Sequence, residues 1–319
     1  MFKKAMLLSV LLVMSAVNGA QAAPYPERII TFIVSSPAGT APDIVARLMA
    51  PKMAEVLGQT IVVENKSGAN GNIPAAFVAK SAPDGYTLLV TVAGTVTANP
   101  WLYPKSAVTD LDAVAQIATV DFIIASRPSL KVNSLQELIA LIRSRPGAIN
   151  AATSGTGSFP YLVAEMLKQE AKLDFQIVKH NGGAAAGMSV AGEHTDFVIE
   201  SRAALNSLVV AGKLQPLAST GLQRSPISPG LATMAESDFK DLSMVGWVGL
   251  LAPKGTPVPV LESLNKAVSA ALTDPEVRSR LAVLDFVPSG IGHEKFGRMI
   301  AAERAKLGQI IKSAKLQVE

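Results

Sequence analysis

The chain has no cysteine and only three histidines, His180, His194 and His293, in 319 residues. Disulfide frameworks, thiol catalysis, iron–sulfur clusters and cysteine-based zinc sites are excluded, and a histidine-only metal site nearly so. No cofactor and no metal are expected. Charge is scarce too: 17% of residues are charged, 29 Lys/Arg against 25 Asp/Glu. No segment gathers the five or more Lys/Arg of a phosphate-tracking patch, so nucleic acid is not an expected partner. Also missing are a Pro/Gly/Ser-rich linker, an internal repeat and a low-complexity segment. What is present is 49% apolar residues, far too many for a disordered chain. At roughly 150 residues per domain the length implies about two domains, each able to bury a core. Without a linker between them, the domains are expected to be discontinuous, the chain crossing more than once.

The N-terminus reads as a leader. Lys3 and Lys4 precede an apolar run from Ala5 to Val17, and the small-residue end Ala20-Gln21-Ala22 follows. This is the pattern of a secretory signal peptide over residues 1–22, cleaved before Ala23. The apolar run is 13 residues, short of the roughly 20 that span a bilayer. Absence of a cysteine at the cleavage site excludes a lipoprotein. Removing Lys3 and Lys4 leaves 27 positive against 25 negative residues, so the mature chain is nearly neutral. A periplasmic location follows as the expectation.

Past Pro24, short β-rich runs alternate with helical periods, the signature of an α/β fold with largely parallel strands. Strands are expected at Ile29–Ser35, Ile61–Glu64, Thr87–Val92, Phe122–Ala125, Ile149–Thr153, Phe175–Lys179, Phe197–Glu200, Leu214–Ser219 and Val245–Ala252. Most are apolar on both faces, as buried parallel strands are. Helices are expected at Pro42–Leu57, with an interruption at Pro51, at Phe159–Ala171, Val258–Leu272 and Glu294–Ala314. Ser134-Leu135-Gln136-Glu137 is a capping box opening a further helix that stops near Pro146-Gly147.

Five strand-to-helix junctions share one chemistry: Ser35–Asp43, Lys66–Gly71, Ala93–Asn99, Ser154–Ser158 and His180–Gly183. Small residues let backbone N–H groups face outward, and a helix beginning just afterwards attracts an anion. Two such junctions facing each other would cradle a carboxylate without any charged side chain. Each taken singly is equally an ordinary tight turn. Enzyme motifs are poorer. Gly155-Thr156-Gly157-Ser158-Phe159-Pro160 puts proline where a dinucleotide fingerprint needs its third glycine. Gly187-Met188-Ser189-Val190-Ala191 lacks the last glycine of a nucleophile elbow. A serine hydrolase using Ser154, Ser158 or Ser189 with His180 or His194 is the rival reading.

At these junctions the sequence resembles a known family. Tyr25-Pro26-Glu27-Arg28-Ile29-Ile30, SSPAGTAPDIVARLMA (35–50), LGQTIVVENKSGANGNI (57–73), VAKSAPDGYTLL (78–89) and NPWLY (99–103) resemble the tripartite tricarboxylate transporter substrate-binding proteins, or Bug receptors. SLQELIALIRSRPGAIN (134–150), TSGTGS (153–158), AGKLQPLAST (211–220) and WVGLLAPKGTP (247–257) continue the likeness over essentially the whole mature chain. The resemblance implies a Venus-flytrap fold, with domain I over 23–121 plus 245–319 and domain II over 122–244. It implies a non-enzymatic receptor for a small carboxylate that delivers its ligand to membrane permease subunits. A monomer is expected, and a receptor that reports its ligand to a signalling partner is a separate alternative on which the sequence is silent. Residue by residue, it implies ligand contacts at Ser36, Ala38, Gly39 and Asp43 in the first loop, at Ser154, Thr156 and Ser158 in the opposing loop, and at Thr95. The sequence departs from the family pattern in three places, one of them Arg202 after Ser201, which the pattern does not require. The usual Pro-Gly-Gly of the first loop is Ala38-Gly39-Thr40, and a usual Pro-Tyr-Lys-Gly is Lys179-His180-Asn181-Gly182, which makes His180 and Asn181 candidates.

Two residues decide ligand charge in this reading. Arg202 follows a candidate strand and is expected either to hold a second carboxylate bidentately or to lie on the surface beside a helix. With Arg202 in the cleft the ligand is a dicarboxylate, aliphatic or aromatic like a phthalate isomer. Asp43, acidic where an anion should bind, is expected to cap the helix or order the loop amides. Trp247 reads as hinge or core packing.

Overall fold

The computed structural model describes residues 25–103, 106–225, 228–237, 239 and 242–313; the leader read at 1–22 lies outside them. Runs rich in Ile, Val and Thr form β1 (Ile30–Val34), β2 (Ile61–Asn65) and β3 (Thr87–Val92), alternating with α1 (Ala41–Leu57) and α2 (Asn72–Ala79). Two short helices, α3 (Ala93–Thr97) and α4 (Asn99–Leu102), lead to β4 (Leu111–Ser126). The next unit repeats the alternation: α5 (Leu135–Ser144), β5 (Asn150–Ser154), α6 (Phe159–Glu170), β6 (Gln176–His180), α7 (Gly183–Ala191), β7 (Phe197–Ser201), α8 (Arg202–Val210) and β8 (Gln215–Ser219). The chain returns through β9 (Val245–Pro253) and ends with α9 (Val258–Ala271), α10 (Pro275–Val283), β10 (Phe286–Gly292) and α11 (His293–Ser313).

Parallel pairing holds where strands alternate with helices, β1 with β2 and β3, and β5 with β6 and β7. At the centre it is antiparallel. There β4 pairs with β9 and β10 over its first part and with β7 and β8 over its second. Partners change between Asp121, opposite Val245, and Phe122, opposite Ser201. Only the second part of β4 is visible as an apolar run, because Asp112, Gln116, Thr119 and Asp121 break up the first. Gln116 is nevertheless buried, its Oε1 accepting from Ser289 on β10 at 2.6 Å. The strand β10 escapes the pattern altogether: it contains Pro288 and Gly290, and its register slips between Pro288 and Ile291.

Pro51 does not interrupt α1, which runs unbroken from Ala41 to Leu57. Pro51 is on the exposed side, so water can satisfy the carbonyl one turn back that loses its donor. Ser134 caps α5 as expected, accepting from the Glu137 N–H at 3.2 Å, while Glu137 reaches back one residue further, to the Asn133 N–H at 2.7 Å. The helices α2, α7, α8 and α10 were not legible; α7, GAAAGMSVA, has too little contrast between its faces to show a period.

Helices cover both faces of each sheet. One core packs α1, α9 and α10 through Met49, Met53, Leu264 and Leu281 against Phe32, Val90 and Leu250. Another packs α7 and α8 through Ala186, Val190 and Leu205 on Ala152 and Val198. The largest continues from one sheet to the other through Phe122, Phe159, Trp247 and Phe296. Each such aromatic or aliphatic side chain contributes about 1.5–3 kcal/mol on burial.

Candidate binding site

Where the two sheets meet, the C-terminal strand ends enclose a cavity of about 210 Å³. That is the liquid volume of about seven waters at about 30 Å³ each, room for a small metabolite. Its walls come from Ala41 at the start of α1, Asn70, Val92–Thr95, Gly157–Pro160 at the start of α6, and Glu200-Ser201 at the start of α8. Phe122, Trp247 and Phe286 supply an apolar floor. Three helices of nine residues or more therefore begin at the cavity, each with backbone N–H groups that lack an intrahelical acceptor and with the positive end of its dipole inward.

The first loop is organised by Asp43. Its Oδ2 accepts the Gly39 N–H at 2.8 Å, and its Oδ1 accepts from Asn65 Nδ2 at 2.8 Å and Arg47 Nε at 3.0 Å. Burial pushes the Asp43 carboxyl up, but these donors outweigh it and hold it below the usual carboxylate range. Its oxygens are thus committed to the loop, the second of the two roles expected of it. Gly39, whose N–H is spent on Asp43, lies with Ser36, Ala38 and Asp43 outside the cavity wall; of this segment only Ala41 lines it. Ser36 bonds Thr40 Oγ1 at 2.6 Å, so the hydroxyl that Thr40 adds closes the turn.

Across the cavity, Ser158 caps α6, accepting from the Tyr161 N–H at 3.2 Å and from Ser154 Oγ at 3.1 Å. Gly157 lies close against the opposite side of the cavity. It has φ +82°, and a Cβ there would lie 2.7 Å from Leu102 Cδ1 and 3.5 Å from Asn70 Nδ2. Opposite, a Cβ on Gly94 would lie 3.4 Å from the Gly157 carbonyl. Thr95 and Ser158 line the cavity; Ser154 sits just behind, and Thr156 is off the wall. Thr95 Oγ1 donates to the Asn70 carbonyl at 3.1 Å, and Asn70 Nδ2 donates to Asn99 Oδ1 at 2.9 Å, fixing the neighbouring loop. Asn70, a wall residue, was not singled out from the sequence.

Register places His180 opposite Ser154. Its Nε2 is buried without a hydrogen-bond partner, and neither His180 nor the exposed Asn181 lines the cavity. Ser154 bonds Ser158, and Ser189 bonds Thr195 at 3.0 Å. No histidine bonds a candidate serine among the described residues, so the hydrolase reading gains no geometry. Arg202 is placed elsewhere. Its Nε donates to Asp285 Oδ2 at 2.9 Å, and the pair lines a different, smaller cavity with Asp121 and Ser219. Glu200 is the charged residue the sequence reading missed. Only 6% exposed, it lines the cavity, and its Oε1 accepts the Ser201 N–H at 2.8 Å. Burial pushes its carboxyl above the usual range, against hydrogen bonds from Ser201 and Ser154.

Beneath the floor, Trp247 Nε1 donates to Glu303 Oε2 at 2.9 Å, and its ring meets Phe296 edge-on at 4.9 Å. Trp247 thus joins core packing to the cavity. Burial pushes Glu303 up to about 7, although Trp247, Thr97 and Lys306 pull it down. The folded state holds a proton that the unfolded chain releases near its ordinary value of 4.5. Its stabilising contribution is full below about pH 4.5 and is lost as pH rises through about 7, a swing of about 3 kcal/mol. In urea titrations from pH 4 to 8, Glu303→Gln should flatten this part of the profile; an unchanged profile would assign the titration elsewhere.

The chain matches the tripartite tricarboxylate transporter family receptor over residues 45–316. Among solved structures, R. palustris Rpa4515 with adipate superposes with a TM-score of 0.82 at 31% identity, covering 92% of this chain and 100% of that one. MatC of Rhodopseudomonas palustris with bound malate gives 0.77 at 29%, covering 90% and 100%. The periplasmic binding protein BugD gives 0.78 at 30%, covering 92% and 100%.

Proposed function

The chain belongs to the tripartite tricarboxylate transporter receptor family and has the two-domain α/β fold of periplasmic binding proteins; from that premise we propose that it captures a small organic carboxylate in the periplasm and delivers it to membrane permease subunits. The observation that carries this reading is the convergence of the α1, α6 and α8 N-termini on one small cavity. Free N–H groups and helix dipoles stabilise a carboxylate there without a cation. Adipate and malate in two neighbours agree with this chemistry and make dicarboxylates the reference class for screening. The case for a dicarboxylate in this chain's own side chains was Arg202, which is engaged by Asp285.

In this reading the domains are 23–121 plus 245–319 and 122–244, the leader is removed, and ligand closes the cleft so that excluded water strengthens the amide–carboxylate bonds. No helix among the described residues is long and apolar enough to cross a membrane. A thermal-shift screen of small carboxylates tests the reading. Ligand at 100 times its dissociation constant should add about 2.7 kcal/mol to stability, and no shift with any carboxylate would overturn it. Trp247, on the cavity floor, gives a second readout. Binding should change the tryptophan emission, and Trp247→Phe should remove that change while Trp101, bonded to the Arg304 carbonyl, stays silent.

A further inference from the structure

Trp247 belongs to two walls at once. It floors the binding cavity, and it also lines a groove of about 570 Å³ together with Thr119, Met244, Ser289 and Glu303. Glu303, on α11, is half-buried there and bonds two elements of the cavity. Its Oε2 accepts from Trp247 Nε1 at 2.9 Å, and its Oε1 lies 3.3 Å from Thr97 Oγ1, at the end of α3. The start of α3, Ala93–Thr95, is cavity wall. The indole has little freedom, since a Cβ on Gly249 would lie 3.0 Å from its Cζ3 and 2.6 Å from Phe296 Cζ. One carboxyl on α11 therefore ties the floor of the cavity to one of its walls.

The hydrogens decide in which state it does so. Thr97 Oγ1 also lies 2.9 Å from the Ala93 carbonyl, and a hydroxyl has one proton to give. The carbonyl can only accept, so the shorter contact takes that proton. The contact with Glu303 is then completed if Oε1 brings a proton of its own. Protonated Glu303 closes an unbroken chain: Oε1–H donates to Thr97, Thr97 donates to the Ala93 carbonyl, and Trp247 donates to Oε2. Ionised Glu303 sets a bare oxygen against a hydroxyl already committed, and it puts a negative charge behind a cavity whose helix N-termini are arranged to receive a carboxylate. Among the described residues, Lys306, one turn along α11, is the charge acting on it. Neither α3, α4, β9 nor β10 carries an ionisable side chain. From β4, Gln116 and Thr119 reach the groove, while Asp112 accepts from Gly255 and Asp121 from Ser219. Arg304 donates to the Val96 carbonyl at 3.3 Å.

We propose that Glu303 is a positioning residue that couples protonation to ligand binding: the cleft holds a carboxylate tightly while Glu303 carries a proton and loosens its hold when that proton leaves. This rests on the carboxylate-receptor reading above and adds its regulation. Burial keeps the proton on the folded protein up to about pH 7. By reciprocity, a bound carboxylate draws a proton on to Glu303.

The test is calorimetry at pH 6.5 and 8.5 with malate and the straight-chain carboxylates acetate to hexanoate and malonate to adipate. The protonated form falls from about three-quarters of the protein at the first pH to a few per cent at the second. The tightest-binding compound should therefore bind wild-type protein at least fivefold more weakly at pH 8.5. Glu303→Gln keeps the protonated arrangement, its amide NH₂ donating to Thr97 and its carbonyl accepting from Trp247. It should bind equally at the two pH values, and as tightly as wild type does at pH 6.5. Trp101→Phe leaves Trp247 as the single indole of the chain and gives a readout without ligand. Its emission should step once between pH 6 and 8, and the step should vanish when Glu303→Gln is added. Wild-type affinity that does not fall at pH 8.5, a fall that persists in Glu303→Gln, a Gln variant weakened at both pH values, or no emission step overturns the coupling and leaves the receptor reading standing. Failure of every compound to bind at either pH overturns both. If the Gln variant does not fold, the wild-type comparison and the Trp101→Phe titration decide.

Discussion

Gly157→Val should abolish measurable binding of whichever carboxylate the wild-type protein holds, while Gly155→Ala, two residues away, leaves it intact. Valine at φ +82° occupies a backbone region that β-branched residues avoid, at about 1–3 kcal/mol. Its first side-chain carbon would start 2.7 Å from Leu102 Cδ1, a buried side chain with little room to retreat. The loop must therefore shift, and with it the start of α6 and the Ser158 cap that aims its N–H groups at the cavity. A Cβ at Gly155 meets nothing within 4 Å. Calorimetry with thermal melting on both variants separates a lost site from a lost fold. Equal binding by Gly157→Val and wild type would mean that the approach of the two halves at this point does not matter for the ligand.

Arg202→Ala should cost about 3 kcal/mol of stability. The Arg202 and Asp285 side chains are 18% and 7% exposed, and removing the guanidinium strands a carboxylate that burial already pushes above its usual range. The ion pair ties the first residue of α8 to the residue preceding β10, 83 positions apart. The double variant Arg202→Ala/Asp285→Ala should recover part of the loss, giving a coupling above 1 kcal/mol in a double-mutant cycle. Any loss of affinity should be the same factor for a monocarboxylate and the matching dicarboxylate. A selective loss for the dicarboxylate would return Arg202 to the cleft, as the sequence had led one to expect.

These residues show what was legible and what was not. Local chemistry could be read directly: Ser134 and Glu137 announce the α5 cap, apolar runs announce β1, β3 and β9, and five small-residue junctions announce loops of which four reach the cavity wall, at Ala41, Asn70, Ala93–Thr95 and Gly157-Ser158. Periodicity could not show β10, whose proline and glycines carry no strand signal. It could not show the first part of β4 either, where a buried Gln116 is satisfied from another strand. Partners distant in sequence were equally hidden. Arg202 looked free because Asp285 lies far along the chain, and Glu200 looked like the polar end of FVIES. Burial of Glu200 depends on Gly183, which only the packing of α7 brings against it. One signal was available: a lone acid ending an otherwise apolar strand immediately before a helix.

A crystal structure of the protein with the tightest-binding compound from the carboxylate screen tests the account most directly. The account predicts density for one carboxylate in the cavity between Ala41, Gly157 and Trp247, bonded by backbone N–H groups at the starts of α1, α6 or α8, with no lysine or arginine on it. A ligand bound outside this cavity, or a carboxylate held there by Arg202, would contradict it.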